Sequence, residues 1–229
     1  GKTTLIEALL CASGNLPHMG SVAACTAAMD FEPEEHHRKH SLQTSLCQIT
    51  WNEASLNLLD NPGTSGFQAE ARQAAHVADA ALWVFNAGVG VKTELEKLWE
   101  YAATRSLPSL LFISALEKEG TSWEKVVDEI EKTLEIKTGP LSIPIGQGMF
   151  LEGVVDLVNG EAFRYASDGT GKRQKIEIPA ALSGAVEAAR KKLMEGVAEA
   201  DDQLLEKYLS EGALTAAEIL NGLKAGVAS

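Results

Sequence analysis

The chain has 229 residues, enough for one α/β domain and a smaller second one. Its 20 Lys and Arg against 32 Asp and Glu give a net charge of −12, which argues against broad electrostatic binding of nucleic acid. Three cysteines without C-x-x-C spacing indicate a reducing setting, and no apolar run approaches the ~18 residues of a membrane span. We therefore expect a cytoplasmic protein without a membrane segment.

The chain opens on Gly1-Lys2-Thr3-Thr4, which matches the second half of the phosphate-binding pattern G-x-x-x-x-G-K-[ST]. In that pattern backbone N–H groups surround phosphate oxygens, the Lys reaches the β- and γ-phosphates, and the hydroxyl ligates Mg²⁺. A helix predicted over 3–12 follows directly, as the pattern requires. Four residues match by chance often, so the motif alone leaves phosphate binding open. Because the first half of the pattern lies outside the chain, we expect residues 1–229 by themselves to bind nucleotide weakly.

Predicted helices and strands alternate after a long first loop. Residues 13–41 are predicted to be loop, and long irregular segments in compact domains are usually functional or disordered. Strands are predicted over 42–51 and 55–59, the second apolar enough for a buried parallel strand. The elements that follow alternate between helix and strand: 67–78, 80–85, 93–105, 109–113 and 122–134. This alternation predicts a mostly parallel sheet with helices on both faces.

From residue 138 the pattern changes to short strands followed by helices. The strands are predicted over 141–145, 154–158, 163–165 and 174–178, and the helices over 181–198, 202–209 and 215–226. The pair Asp201-Asp202 is expected to cap the helix at 202–209, because a carboxylate accepts bonds from unpaired N–H groups. The run Asp168-Gly169-Thr170-Gly171-Lys172 imitates a phosphate loop but lies between strands, which favours a hairpin turn. We expect two domains, at 1–138 and 139–229, the second an α+β subdomain.

A second chemical motif, Asp60-x-x-Gly63, follows the predicted strand at 55–59. In P-loop nucleotide hydrolases a carboxylate at such a position holds Mg²⁺, and the Gly N–H senses the γ-phosphate. Asp and Gly are also common turn formers, so the motif by itself is weak. Its place after an apolar strand and downstream of Gly1-Lys2-Thr3-Thr4 strengthens the nucleotide interpretation.

Three histidines, His36, His37 and His40, lie in the predicted loop at 13–41. Adjacent histidines point in different directions on most backbones, and no Cys or His lies nearby at the spacing of a zinc finger. The sequence therefore favours a solvated loop over a metal site formed by these side chains.

Longer strings of the chain resemble translational GTPases of the elongation factor G type, and the resemblance is closest to the elongation factor G-like paralogues. It extends over essentially the whole chain. The strings that carry it are Met29-Asp30-Phe31-Glu32-Pro33-Glu34-Glu35, Asn57-Leu58-Leu59-Asp60-Asn61-Pro62-Gly63, Pro144-Ile145-Gly146, Gly153-Val154-Val155-Asp156 and Ala198-Glu199-Ala200-Asp201-Asp202-Gln203-Leu204-Leu205-Glu206-Lys207-Tyr208-Leu209. The resemblance implies an α/β fold of the P-loop type, with a mostly parallel sheet flanked by helices and an inserted α+β subdomain at 139–229.

The resemblance also implies ligands and roles for individual positions. It implies binding of GTP or GDP with Mg²⁺, a monomeric protein and the ribosome as partner. Ser41 keeps a hydroxyl where the first switch of the family has its Mg²⁺-binding Thr. The implied magnesium ligands are Thr3, Ser41 and Asp60, and the implied nucleotide-binding positions are Gly1, Lys2, Thr3, Thr4, Asp60, Gly63, Ser114 and Glu117.

Two positions depart from the family pattern. The guanine-reading Asn-Lys-x-Asp is replaced by Ser114-Ala115-Leu116-Glu117, so we expect impaired guanine specificity. Thr64 stands where the family has a His that orients the attacking water, so we assign no catalytic residue and expect slow hydrolysis. The sequence thus leaves two functions open. One is an elongation factor G-like GTPase that works on the ribosome, and the other is a degenerate, non-catalytic homologue that binds the ribosome or a protein partner.

Overall fold

A computed structural model describes residues 1–166 and 171–228 of the chain. Two compact units are present: Gly1–Phe85 with Val91–Ser114, and Asn86–Gly90 with the chain from Ala115 onward. The division after Ser114 comes earlier than the expected boundary at 138. One reason is that Trp123, in the helix after it, packs against the core of the second unit. A domain boundary at 138 stays a prediction.

The first unit begins with helix α1, Lys2–Ala12, which packs on a hairpin of strands β1, Ser45–Trp51, and β2, Ala54–Asp60. Ile6 of α1 and Ile49 of β1 belong to the same buried cluster. Strand β2 was expected to be a parallel strand, but its partner among the described residues is β1, and the two run antiparallel. Asn52 and Glu53 explain the difference, because both have positive φ (45° and 67°), as a two-residue hairpin turn requires.

The expected loop at 13–41 contains a short helix, α2, Pro33–Arg38. Proline suits the first helical position, and the Glu35 carboxylate accepts a bond from Glu32 N–H (3.2 Å) at the helix start. Glu35 also accepts the N–H of Leu42 (2.8 Å), which withdraws that group from strand pairing. The strand predicted over 42–51 therefore begins later, at Ser45.

Two neighbouring strands, β3, Ala81–Asn86, and β4, Ser109–Ser114, form the parallel part of the first unit. At their starts Ala81 N–H donates to the carbonyl of Pro108 (2.8 Å), and at their ends the Ser114 hydroxyl donates to the carbonyl of Phe85 (2.9 Å). The start of β3 thus lies beside the start of β4, and the two strand ends also lie side by side, so the strands run parallel. Helices α3, Gln68–Val77, and α4, Thr93–Ala103, contact each other and complete the predicted alternation. The expected α/β class with parallel strands is confirmed.

The described residues of the second unit form an antiparallel sheet and four α-helices. Helix α5, Trp123–Leu134, is followed by strands β5, Ser142–Ile145, β6, Gly153–Asp156, β7, Glu161–Tyr165, and β8, Arg173–Ile176. The strands pair in chain order, each antiparallel to the next. Helices α6, Ser183–Ala198, α7, Asp202–Glu211, and α8, Ala216–Ala228, follow. The Asp168–Thr170 part of the predicted hairpin turn lies outside the described residues.

The core of the second unit joins its sheet to its last helices. Val155 and Leu157 are fully buried near β6, and they share one apolar cluster with Leu193 of α6 and Ile219 of α8. The predicted cap of α7 is confirmed, since the Asp201 carboxylate accepts the N–H groups of Gln203 and Leu204 at 2.9 and 3.0 Å. Among the described helices, none combines the length and the apolar character that crossing a membrane would need.

Gly153 gives a test of this packing, because a Cβ at this position would collide with the carbonyl oxygen of Phe163 on the neighbouring strand. We expect Gly153→Ala to lower the free energy of unfolding by about 1–3 kcal/mol, since backbone must shift to make room. Gly196→Ala is the matched control: Gly196 lies inside α6 with open space around it, so alanine should stabilise by about 0.5–1 kcal/mol. Urea unfolding of both variants measures the difference, and an unchanged midpoint for Gly153→Ala would contradict the close approach of β6 and β7.

Candidate functional site

Three sequence motifs that are far apart in the chain meet at the N-terminal end of α1. The ammonium of Lys2 lies against Gly63, so closely that a Cβ on this glycine would collide with Nζ. The pKa of Lys2 is lowered, chiefly because burial removes the ammonium from water. The charge of Asp60 opposes this shift, and the charge of Lys92 adds to it. A lysine at the first turn of a helix, next to the Asp60-x-x-Gly63 turn, is the arrangement that the phosphate-binding pattern requires.

The hydroxyl of Thr3, in the first motif, faces the hydroxyl of Ser41, which lies in the switch segment (residues 13–44, between α1 and β1). Thr3 and Ser41 are both buried, and their oxygens are 3.4 Å apart. Ser41 also donates to a carboxylate oxygen of Asp30 at 2.7 Å. Asp60, only 2% exposed, is close enough to Thr3 for the hydroxyl to influence its titration. Two hydroxyls and two carboxylates thus occupy one small buried volume of the first unit.

Three oxygens in this volume have no hydrogen-bond partner within the described chain: both carboxylate oxygens of Asp60 and Oδ2 of Asp30. Desolvation raises the pKa of Asp60, the Thr3 hydroxyl and Lys2 lower it, and the charge of Asp30 raises it. Neither oxygen of Asp60 has a hydrogen-bond partner, so the Thr3 hydroxyl lowers the pKa of Asp60 without a hydrogen bond of good geometry. A buried carboxylate without a partner is costly, and a bound cation would remove that cost.

The donor set fits Mg²⁺. Magnesium prefers oxygen ligands, few of them from protein carboxylates and the rest from water and phosphate. Thr3, Ser41 and Asp60 supply such oxygens, and Asp30 adds a fourth side chain that sequence reasoning did not identify. Within 1–166 and 171–228 no group of three or more His, Cys, Asp or Glu side chains could hold a metal by itself.

Two further buried carboxylates, Glu7 and Glu35, shape the segment that carries Asp30 and Ser41. Glu7 of α1 accepts the N–H groups of Gly20 and Ala28 at 2.7 and 2.6 Å. Glu35 accepts the N–H of Leu42, next to Ser41, in addition to the bond at the start of α2. Sequence reasoning missed these roles. The available signal was a Glu inside an otherwise apolar helix face, Leu5-Ile6-Glu7-Ala8-Leu9, where a buried carboxylate needs partners.

Of the predicted base-reading residues, Ser114 belongs to the first unit and Ala115–Glu117 belong to the second. In the first unit Ser114 Oγ lies 3.8 Å from where a Cβ of Gly1 would be, so phosphate and base motifs adjoin there. Its only proton goes to the carbonyl of Phe85 (2.9 Å). In the second unit Ala115 has φ 63°, and Glu117 is exposed. The Thr121 hydroxyl lies 2.9 and 2.7 Å from the carbonyls of Leu116 and Lys118, within the same turn.

The remaining predicted positions lie at the surface. Thr64 is exposed, directly after Gly63, and its hydroxyl has no hydrogen bond within the described chain. Thr4 is exposed and lines an open cavity of about 510 Å³ together with Lys39 and residues 20–23. The histidines do not cluster as metal ligands: His36 and His40 bond to the backbone carbonyls of Asp30 and Ser41.

Asp60→Asn tests the cost of the buried charge. Without nucleotide at neutral pH, we expect this variant to raise the free energy of unfolding by about 1–3 kcal/mol, because an unpaired buried charge is removed. The raised pKa of Asp60 makes this gain shrink as pH falls, since the parent carboxylate then takes up a proton in the folded state. Urea unfolding at several pH values measures it. Asp79→Asn, at an exposed position, is the control, and equal effects of the two substitutions would contradict the assignment.

Most of the chain is similar to known proteins in sequence and fold. Residues 1–220 match the family described as Elongation factor Tu GTP binding domain. Elongation factor G of Salinibacter ruber (strain DSM 13855 / M31) is 35% identical over 212 residues, which is 92% of this chain and 30% of that protein. A crystal structure of a protein from Thermus thermophilus superimposes with a TM-score of 0.88 at 29% identity, over 99% of this chain and 34% of that one. The chain spans about a third of the length of these relatives. It belongs to the elongation factor Tu GTP-binding domain family and is similar to elongation factor G.

Proposed function

We propose that this chain is the nucleotide-binding part of an elongation factor G-like protein that works on the ribosome in the cytoplasm. The observation that carries the proposal is the meeting of Lys2, Gly63 and Asp60, with both oxygens of Asp60 buried and unpaired. The name of the Salinibacter ruber relative, Elongation factor G, supports a role in protein synthesis. In this proposal residues 1–138 act as the GTPase domain, residues 139–229 are the inserted subdomain, and the protein is a monomer.

The phosphate end of the proposed site is formed by residues at the start of α1 and by the turn that follows β2. The Lys2 ammonium would contact the β-phosphate of GTP or GDP and the γ-phosphate of GTP, and the backbone of Gly1–Thr4 and Gly63 would supply N–H donors. Thr3, Ser41 and Asp60 would hold Mg²⁺, with Asp30 beside them. When bound, the metal neutralises phosphate charge during transfer. Gly63 has no side chain in the way, so its N–H can meet the last phosphate while Lys2 stays in contact with the turn.

The base end differs, and we infer that guanine selectivity is weakened. Ser114 donates its proton to Phe85, and Ala115 has no polar side-chain atom. Glu117 carries a carboxylate one methylene longer than the Asp of the family pattern. Selectivity for a base depends on polar partners held at fixed positions, and sites built on them discriminate by roughly 10⁴–10⁵-fold. With Ser114 and Ala115 unable to contribute, most of that discrimination is lost.

Hydrolysis is proposed to be slow. Positioning and electrostatics provide most of the catalysis of phosphoryl transfer, and a residue after the Asp60-x-x-Gly63 turn would orient the attacking water. Thr64 occupies that position with a short, exposed hydroxyl that has no partner among the described residues. It can donate one hydrogen bond to water but cannot carry a charge. We assign it no catalytic role.

A direct test uses the protein made from the complete reading frame that contains this chain. It should be titrated with GTP, GDP and ATP, with and without Mg²⁺, and its turnover measured with and without ribosomes. We expect Mg²⁺-dependent binding of GTP, modest preference over ATP, and slow turnover. The proposal would be overturned if none of the three nucleotides bound to the protein at millimolar concentration.

A second function has support from the same residues. The exposed Thr64 and the engaged hydroxyl of Ser114 also suit a non-catalytic homologue that binds the ribosome or a protein partner through its surface. The intact contact of Lys2 with Gly63 favours the first function. Tight, guanine-selective binding together with turnover stimulated by ribosomes would exclude the non-catalytic alternative.

Restoring the base-reading motif provides a gain-of-function prediction. We expect the triple variant Ser114→Asn, Ala115→Lys, Glu117→Asp to raise the ratio of GTP to ATP affinity by at least tenfold, because it returns the polar partners of the guanine edge. Competition binding with labelled GTP measures the ratio. The exposed substitution Lys118→Gln, in the same turn, is the control. An unchanged ratio would mean that selectivity does not depend on these three positions.

A further inference from the structure

His36 makes a contact that a solvated loop histidine would not make. Its Nε2 lies 2.6 Å from the backbone carbonyl of Asp30, across the turn that leads into α2. A carbonyl oxygen can only accept, so Nε2 carries the proton and donates it. The ring is half-buried, whereas the ring of the next residue, His37, is exposed and has no hydrogen bond within the described chain.

The carbonyl that His36 holds belongs to the residue that faces the candidate magnesium site. Asp30 is 3% exposed; Oδ1 accepts the Ser41 hydroxyl at 2.7 Å, and Oδ2 is buried without a partner. The direction of its side chain depends on the backbone at Asp30. A bond to the carbonyl oxygen fixes the orientation of the peptide plane that follows the residue, and so restricts ψ of Asp30.

The residues before Asp30 have anchors of their own. Ala28 N–H donates to Glu7 (2.6 Å), and the carbonyl of Met29 accepts the Ser45 hydroxyl (2.8 Å). After Asp30 the chain turns outward, and Phe31 is exposed. The bond from His36 therefore fixes the backbone at Asp30, where the chain turns away from the site. Asp30 is also the residue whose carboxylate faces the candidate magnesium site.

We propose that His36 is a positioning residue, which holds the carboxylate of Asp30 toward the metal bound by Thr3, Ser41 and Asp60. This rests on the proposed function, since it assumes that Mg²⁺ binds there with nucleotide. His36 does not touch metal or nucleotide; it acts through Asp30. Groups that orient the residues around a metal typically change metal affinity by roughly 10–100-fold when they are removed.

The test uses the protein from the complete reading frame and Mn²⁺ as a paramagnetic substitute for Mg²⁺. Mn²⁺ affinity is measured by electron paramagnetic resonance in the presence of saturating GTP, so the readout does not depend on turnover. His36→Phe keeps a ring but removes the donor, and we expect affinity to fall roughly 10–100-fold. His36→Gln keeps an N–H donor and should restore most of the affinity. His37→Phe is the matched control and should leave it unchanged.

A double-variant comparison separates positioning from a general loss of structure. If His36 acts through Asp30, His36→Phe should cause no further loss of Mn²⁺ affinity in the Asp30→Asn background. A loss of equal size in both backgrounds, or none in the parent background, would overturn the assignment. Circular dichroism checks folding, and His36→Leu takes the place of His36→Phe should the latter not fold. If the parent protein does not bind Mn²⁺ with GTP, the proposed function itself fails; intact parent binding with an unaffected His36→Phe refutes only the role of His36.

Discussion

A carboxylate that is buried without a partner raises the free energy of the folded chain, and Asp60 is such a group. Its neighbours compensate only in part, because Lys2 is itself desolvated and Thr3 does not form a good hydrogen bond with it. The ends of β2 and α1 are thus held in an arrangement that is unfavourable by itself. Such local cost is typical of binding sites, where the ligand supplies the missing partner. The glycine at position 63 and the buried hydroxyl of Ser41 are consistent with the same requirement, that a ligand supplies the missing partner of Asp60.

The switch segment between α1 and β1 is ordered by side chains rather than by a regular ladder. Buried acceptors replace the missing strand or helix partners: Glu7 serves the backbone of Gly20 and Ala28, and Glu35 serves Glu32 and Leu42. Each bond between a backbone N–H and a carboxylate is charge-assisted and stronger than a neutral one. Met29 adds an apolar contact, because it is buried in the same cluster as Ile6 of α1 and Ile49 of β1. The shape of the segment thus depends on the carboxylates and on this contact together.

Periodicity in the sequence was enough to predict the helices of both units and the parallel strands, because those elements bury apolar residues at regular spacing. It did not predict the helix Pro33–Arg38, whose formation depends on capping by Glu35 rather than on an apolar face. The hairpin turn at Asn52 and Glu53 also escaped, since Glu at a positive φ is not a usual turn residue. At the site, motif spacing predicted Lys2, Thr3 and Asp60, and the resemblance to the family added Ser41. Asp30 was not recognised, because its role arises from contacts with residues distant in sequence.

The bonds that the N–H groups of Gly20 and Ala28 donate to the Glu7 carboxylate have a mechanical consequence. Both bonds join Gly20 and Ala28 to the middle of α1, little more than one helical turn from Lys2. A small displacement of α1 would therefore move Gly20 and Ala28 together, through the one buried side chain of Glu7 and without a contact to the terminal phosphate of a nucleotide. The position of α1 thus sets the positions of both residues.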